Sequence, residues 1–154
     1  MARCILMRQA LSIAEAPVRW PQGIELRPWN EADAQAVLDL LLSVQQVQAD
    51  TELEGWLAHL AGDAEFDPRL CRLAYGPAGL AGFAMGWTSS FIRHLAVYPS
   101  ARRQGLGQAL LNELFNAYRR RDEAFVDLTV LADNADALRL YARAGMMEVR
   151  RYTQ

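Results

Sequence analysis

Leu95-Ala-Val-Tyr-Pro-Ser-Ala-Arg102-Arg103-Gln104-Gly105-Leu106-Gly107-Gln108 runs from a strand-like segment through a glycine loop into a stretch of helical periodicity. Glycines let backbone approach a ligand closely, and the free N–H groups at the start of the following helix point at any anion lodged there. Each such contact is worth about 0.3–1 kcal/mol, so several of them, joined by Arg102 and Arg103, could hold a diphosphate. Strand-to-helix turns also use glycine on steric grounds alone, so this phosphate-cradle reading needs support from the rest of the chain.

Downstream, Leu106, Leu110, Leu111, Leu114, Phe115 and Tyr118 share one helical face that ends at Arg119-Arg120-Arg121. Cations there complement the carboxyl end of the helix dipole, and a solvated role is expected for them rather than a polyanion site. Phe125 to Leu131 is the next strand, Asn134 caps a helix running through Tyr141 to Gly145, and Met147 to Tyr152 forms a last strand. Upstream, Leu70 to Tyr75, Leu80 to Thr88 and Phe91 to Tyr98 are separated by short turns and read as an antiparallel meander. Before that, Ile24 to Arg27 is a short strand, Asn30 opens a helix through Leu42, and Thr51-Glu-Leu-Glu54 reads as a capping box starting a second helix that Gly62 ends.

Residues 1–23 are the least regular part. Cys4 to Met7 is a short apolar run cut by Arg8, Gln9 to Ala16 is a helical patch at best, and Pro17 and Pro21 forbid regular structure across Val18 to Gln22. The basic, acid-free start resembles a targeting peptide only as far as Glu15, so an accessory strand or helix packed on the domain is the expectation. The domain proper is placed at 24–154. The order of elements predicts a mixed α/β fold with one mostly antiparallel sheet flanked by helices.

With 154 residues, 52% hydrophobic, the chain can bury one real core. A net charge of -2 gives no general attraction to nucleic acid or anionic membranes. All sixteen basic side chains are arginine. A P-loop needs its lysine and a Schiff-base enzyme needs an amine, so both classes are excluded. Cys4 and Cys71 are isolated and only His59 and His94 accompany them, so no metal is expected. No apolar run approaches about 18 residues. These features predict a cytoplasmic protein without membrane or nucleic-acid partners.

The chain from Ile24 to Tyr152 resembles the GCN5-related N-acetyltransferase family, abbreviated GNAT. The family's [RQ]-x-x-G-x-[GA] mark after a V-x-P strand end stands here as Val97-Tyr-Pro99 and Arg102-Arg-Gln-Gly105-Leu-Gly107. A second pattern, an asparagine followed by A-x-x-x-Y-x-x-x-G-[FM], stands as Asn134, Ala137, Tyr141, Gly145 and Met146. A dinucleotide fingerprint fits less well, because Leu110 stands where it wants glycine or alanine. The resemblance implies that the family's fourth and fifth strands splay apart around acetyl-coenzyme A. It implies that the backbone of Leu95 and Val97 meets the pantetheine arm. Arg102, Arg103, Gln104, Gly105, Leu106, Gly107 and Gln108 would then surround the pyrophosphate, with Asn134 also on the coenzyme side.

The implied reaction is acetyl transfer from acetyl-coenzyme A to a primary amine of a small molecule or protein. Tyr141 stands where the family's phenol protonates the departing sulfur; packing on the inner helix face is its alternative role. The family often carries Glu or His at the positions of Phe91 and Arg93, and neither residue can act as a base. His94 is adjacent, but strand alternation turns it to the opposite face unless a bulge rephases the strand, so a structural or supporting role is expected for it. Six acids and no arginine lie between Asp50 and Asp67, with Trp56 among them; they form either an amine-attracting rim or a solvated helix face. A non-catalytic acyl-coenzyme A binding module, or a structural, partner-interaction domain, are the alternatives. Only nine residues follow Gly145, too few for the two closing strands most members have. The Cys4 to Met7 segment, or a strand of a second subunit in a homodimer, is expected to cover the sheet edge.

Overall fold

The computed structural model describes residues 1–12, 14–15 and 17–154. Ile13 and Ala16, within the Gln9 to Ala16 patch, lie outside the described residues. Seven strands form one sheet: β1 (Arg3–Ala10), β2 (Glu25–Pro28), β3 (Phe66–Gly76), β4 (Gly79–Trp87), β5 (Phe91–Val97), β6 (Phe125–Leu131) and β7 (Met147–Thr153). Four α-helices flank it: α1 (Ala34–Ser43), α2 (Leu53–Gly62), α3 (Leu106–Arg120) and α4 (Ala135–Arg143). The strand order is β2-β3-β4-β5-β6-β1-β7, and every neighbouring pair is antiparallel except β5 with β6.

Two apolar clusters sit on opposite faces. Leu106, Leu110, Leu111, Leu114, Phe115 and Tyr118 of α3 pack on one face with Ile5, Met7, Val126 and Leu128. Val37, Leu38, Leu40 and Leu41 of α1 and Trp56 and Leu60 of α2 pack on the other with Cys71, Leu73, Phe83 and Met85. Gly86 leaves the space into which Tyr118 inserts: a Cβ at residue 86 would meet its hydroxyl oxygen at 2.1 Å. The hydroxyl lies 2.7 Å from Trp87 O and 3.3 Å from Phe91 O, pinning the β4–β5 hairpin to α3.

The amino-terminal segment is a full strand inside the sheet. β1 pairs antiparallel with β6 on one side and β7 on the other, so it lies between them in the sheet. It does not cover the outer edge, which β7 forms. Gln9 and Ala10 belong to β1, against the helical reading of that patch. Arg8, which cuts the apolar run, pairs through Nε and Nη2 with Asp127 directly opposite on β6, at 2.8 and 2.9 Å, and stacks over the Phe125 ring.

Three local readings change. Glu52 caps α2 with no side-chain hydrogen bond, so the Thr51 to Glu54 capping box is not formed, while the helix does end at Gly62. The three arginines ending α3 are held by side chains rather than only solvated: Arg119 donates to Asn116, Arg120 pairs with Glu15 and Arg121 with Asp67. Of β3, the sequence pattern showed only the inner part; an irregular start extends it back to Phe66.

Ile5 is 1% exposed although it stands five residues from the start of the chain. Ile5→Ala is expected to cost about 2–5 kcal/mol in denaturant unfolding, as for a central core position. A cost below about 0.5 kcal/mol, the surface range, would contradict the place of β1 in the sheet.

Candidate active site

The site begins where the sheet opens. Strands β5 and β6 are parallel and joined in register at Phe91 and Asp127 alone; beyond that bridge they diverge. Tyr98 N donates to Ala81 O at 3.0 Å, which makes Val97 and Gly82 a non-hydrogen-bonded pair of the β4–β5 ladder. Two residues back, Leu95 and Ala84 repeat that phase. Leu95 and Val97 therefore direct their own N–H and C=O groups away from β4 and into the opening between β5 and β6.

A cavity of about 250 Å³ occupies the opening. Phe91, Ile92, Arg93 and Leu95 line it from β5, Leu128 to Leu131 from β6, and Asn134 and Tyr141 from α4, with Gln46 reaching in from the α1–α2 connection. Side chains satisfy two of the inward carbonyls: Gln46 Nε2 donates to Leu95 O at 2.8 Å and Arg102 Nε to Val97 O at 3.1 Å. Each carbonyl keeps a second lone pair, and the N–H groups of Leu95 and Val97 face the same gap, so an amide-bearing arm has complementary groups to pair with.

At the far end of β5 the glycine loop turns into α3. Gly105 takes φ 86 at the N-cap, a left-handed conformation that glycine adopts without steric cost, and no side chain caps the helix. The first bond inside the helix runs from Ala109 N to Gly105 O, so the N–H groups of Leu106, Gly107 and Gln108 lack an intrahelical acceptor. Arg103 also has positive φ, and Arg102, Arg103 and Gln104 form the bend before the helix. The Leu106 side chain is buried in the core, leaving only its backbone for a ligand, and Gly107 stands against Leu140 of α4. This end of the opening fits an anionic group such as a diphosphate.

Asn134 caps α4 by accepting from Ala137 N at 3.2 Å, which leaves its amide N–H groups for the cavity. Burial pushes the Tyr141 phenol up to about 12. Its hydroxyl makes no hydrogen bond to the described residues and is not enclosed. A protonated, uncommitted donor thus faces the opening.

A second cavity, of about 860 Å³, adjoins the first through the shared lining residues Gln46 and Arg93. It lies under α2 and the α1–α2 connection. Glu52 and Asp63 reach it out of the six acids between Asp50 and Asp67, along with Trp56, His59 and Trp87. Trp56 is at the same time core, packed edge-on against Trp29. The other acids include Asp67, paired with Arg69 and Arg121, and Glu65, which accepts from Thr88.

His94 lines this second cavity. The register of β4 and β5 shifts between Met85 and Gly86, so that Met85 pairs with His94 but Gly86 with Ile92, leaving Arg93 as the extra residue of a bulge. Burial and the neighbouring Arg93 push the imidazole down to about 3, so it is neutral at working pH. Gln46 Oε1 lies 3.1 Å from His94 Nδ1. Gln46 escaped the sequence reading because nothing local marks one glutamine among several; its place comes from a Schellman turn that closes α1, with Gln46 N bonded to Leu41 O, Gln45 N to Leu42 O, and Gln45 at φ 61.

Residues 23–146 match the model of the Acetyltransferase (GNAT) family. The chain belongs to the GNAT acetyltransferase family. It is 30% identical over 154 residues to a mycothiol acetyltransferase of Clavibacter sepedonicus, covering 93% of this chain and 51% of that protein. It is 44% identical over 55 residues to the ribosomal protein bS18 alanine N-acetyltransferase of Escherichia coli, covering 36% of this chain and 37% of that one. Among solved structures, a GCN5-related N-acetyltransferase from Sphaerobacter thermophilus superposes with a TM-score of 0.83 at 29% identity, over 98% of this chain and 50% of that chain. The chain spans about half the length of the Clavibacter and Sphaerobacter relatives. The mixed sheet flanked by helices is the family's fold. Among the described residues there is no group of three or more His, Cys, Asp or Glu placed to hold a metal, and no helix long and apolar enough to cross a membrane.

The Tyr141 environment can be checked directly. In an ultraviolet pH titration compared with Tyr141→Phe, this phenol is expected to ionise only near pH 12. Ionisation near the ordinary value of about 10 would place it in open solvent instead.

Proposed function

We propose that this chain transfers the acetyl group of acetyl-coenzyme A to a primary amine of a small molecule or protein. The observation that carries the reading is the one-bridge divergence of β5 and β6, which turns the backbone of Leu95 and Val97 and the free phenol of Tyr141 into one opening. The residues fit the coenzyme in three places: strand-edge groups for the pantetheine amides, the Arg102 to Gln108 turn for the pyrophosphate, and Tyr141 for the sulfur. Acetyl-coenzyme A supplies an activated acyl carbon and a thiolate leaving group. As the amine nitrogen bonds to that carbon and the carbon–sulfur bond breaks, Tyr141 gives its proton to the sulfur and is reprotonated from solvent, while the amine's surplus proton leaves through the second cavity.

The second cavity suits the acceptor. Glu52 and Asp63 favour a cationic amine in it. Those carboxylates also raise the amine's pKa, so deprotonation opposes binding. A lysine-like amine costs roughly 4.6 kcal/mol to deprotonate at pH 7. The names of the relatives give mycothiol in one case and an alanine of a ribosomal protein in the other, and this cavity is roomy enough to admit either a small polar amine or a chain terminus.

Release of free coenzyme A thiol across a panel of amines tests the activity. Coenzyme binding without thiol release from any amine would favour the non-catalytic binding module. Tyr141→Phe is expected to lower turnover by about 10²–10⁴ while leaving the coenzyme dissociation constant unchanged. Equal turnover would remove Tyr141 as the acid. With Tyr141 ionising at about 12 and His94 at about 3, kcat/KM should climb about tenfold per pH unit below the amine's own pKa. A flat profile there would mean that the amine is not the group being deprotonated.

A further inference from the structure

Gln46 bridges the two cavities, and its two hydrogen bonds fix a proton elsewhere. Its Nε2 lies 2.8 Å from Leu95 O and its Oε1 lies 3.1 Å from His94 Nδ1. A backbone carbonyl can only accept, so the amide nitrogen must face Leu95 and the amide oxygen must face the histidine. An amide oxygen also only accepts, so His94 Nδ1 must carry the hydrogen. Because burial and Arg93 keep the ring neutral, Nε2 is left with a bare lone pair.

The fold holds both ends of this arrangement. The Schellman turn at Gln45 sets the position of Gln46, and the Arg93 bulge turns His94 to the face that carries the second cavity. His94 is 4% exposed, and its remaining ring nitrogen is not among the enclosed polar atoms without a partner. It therefore opens onto the cavity that His94 lines.

We propose that His94 touches the acceptor: its Nε2, held unprotonated by Gln46, accepts a hydrogen bond from an N–H of the amine and turns the amine's lone pair toward the opening at Leu95. Gln46 is the positioning residue. This rests on the acetyltransferase reading above and adds to it a selection rule for that cavity, since an ether or thioether at the same place has no hydrogen to give and leaves a buried lone pair unmet. His94 serves here as an orienting acceptor and moves no proton.

Nitrogen-15 spectra of the imidazole rings test this. His59 and His94 are the two histidines of the chain, and His94→Gln assigns them. At neutral pH the His94 ring should show a protonated Nδ1 and a bare Nε2, and glycinamide added with coenzyme A should shift the Nε2 resonance. Gln46→Leu should lose that fixed tautomer and raise KM for glycinamide about tenfold. A purely structural Gln46 would change the melting temperature and leave the amine KM alone. A wild-type spectrum with the proton on Nε2, an Nε2 resonance indifferent to glycinamide, or a Gln46→Leu variant with unchanged tautomer and KM would each overturn the proposal. Wild-type protein that binds acetyl-coenzyme A but releases no thiol would contradict the transferase reading instead, while the ring spectra would still decide the hydrogen bond.

Discussion

The bridge between Phe91 and Asp127 is the point on which the rest depends, because β5 and β6 must meet there and then separate. Several interactions hold the apex closed. Asp127 N donates to Ser90 O at 3.0 Å, Arg8 grips the Asp127 carboxylate, Ser90 Oγ donates to Glu123, and the buried Tyr118 hydroxyl reaches Trp87 O and Phe91 O. Past the apex, a sheet interior would leave backbone groups unpaired at a cost of about 1–3 kcal/mol each. Gln46 and Arg102 take up two of them from the side. The opening is thus a braced gap in the sheet, with polar backbone ready for a ligand that brings its own amides.

The same bracing explains why the amino-terminal strand matters to a site it never touches. β1 completes the hydrogen bonding of β6 on the side away from the opening, and its Arg8 fixes Asp127 at the apex. β7 joins the sheet through β1. The two halves of the sheet are therefore held by different contacts: the meander β2 to β5 by ladder hydrogen bonds and α1, and β6, β1 and β7 by one another. α3 packs across both.

Most elements were legible because they carry local signals. The glycine loop, the α3 stripe from Leu106 to Tyr118, the Asn134 cap and the strand–turn–strand rhythm from Leu70 onward each follow from periodicity or turn chemistry. β1 was obscured by Arg8, whose partner is 119 residues away. The Thr51 to Glu54 box matched a pattern that the backbone does not use. At the site, the Arg102 to Gln108 turn and the Asn134 to Tyr141 spacing could be read along the chain. The facing of His94 could not, since the bulge at Arg93 is a property of two strands in register, and Gln46 acquires its role only through a contact 49 residues distant. Residues that build a site by long-range geometry leave no local trace.

The central claim is that the gap between β5 and β6 receives acetyl-coenzyme A along the exposed backbone of β5, and residue-resolved amide hydrogen exchange tests it most directly. Leu95 and Val97 direct their N–H groups into the gap, whereas Ala96 lies in the hydrogen-bonded phase of the ladder to β4. The account predicts that acetyl-coenzyme A slows exchange at Leu95 and Val97 while Ala96, already protected, changes little. Equal exchange at Leu95 and Val97 with and without saturating acetyl-coenzyme A would contradict it.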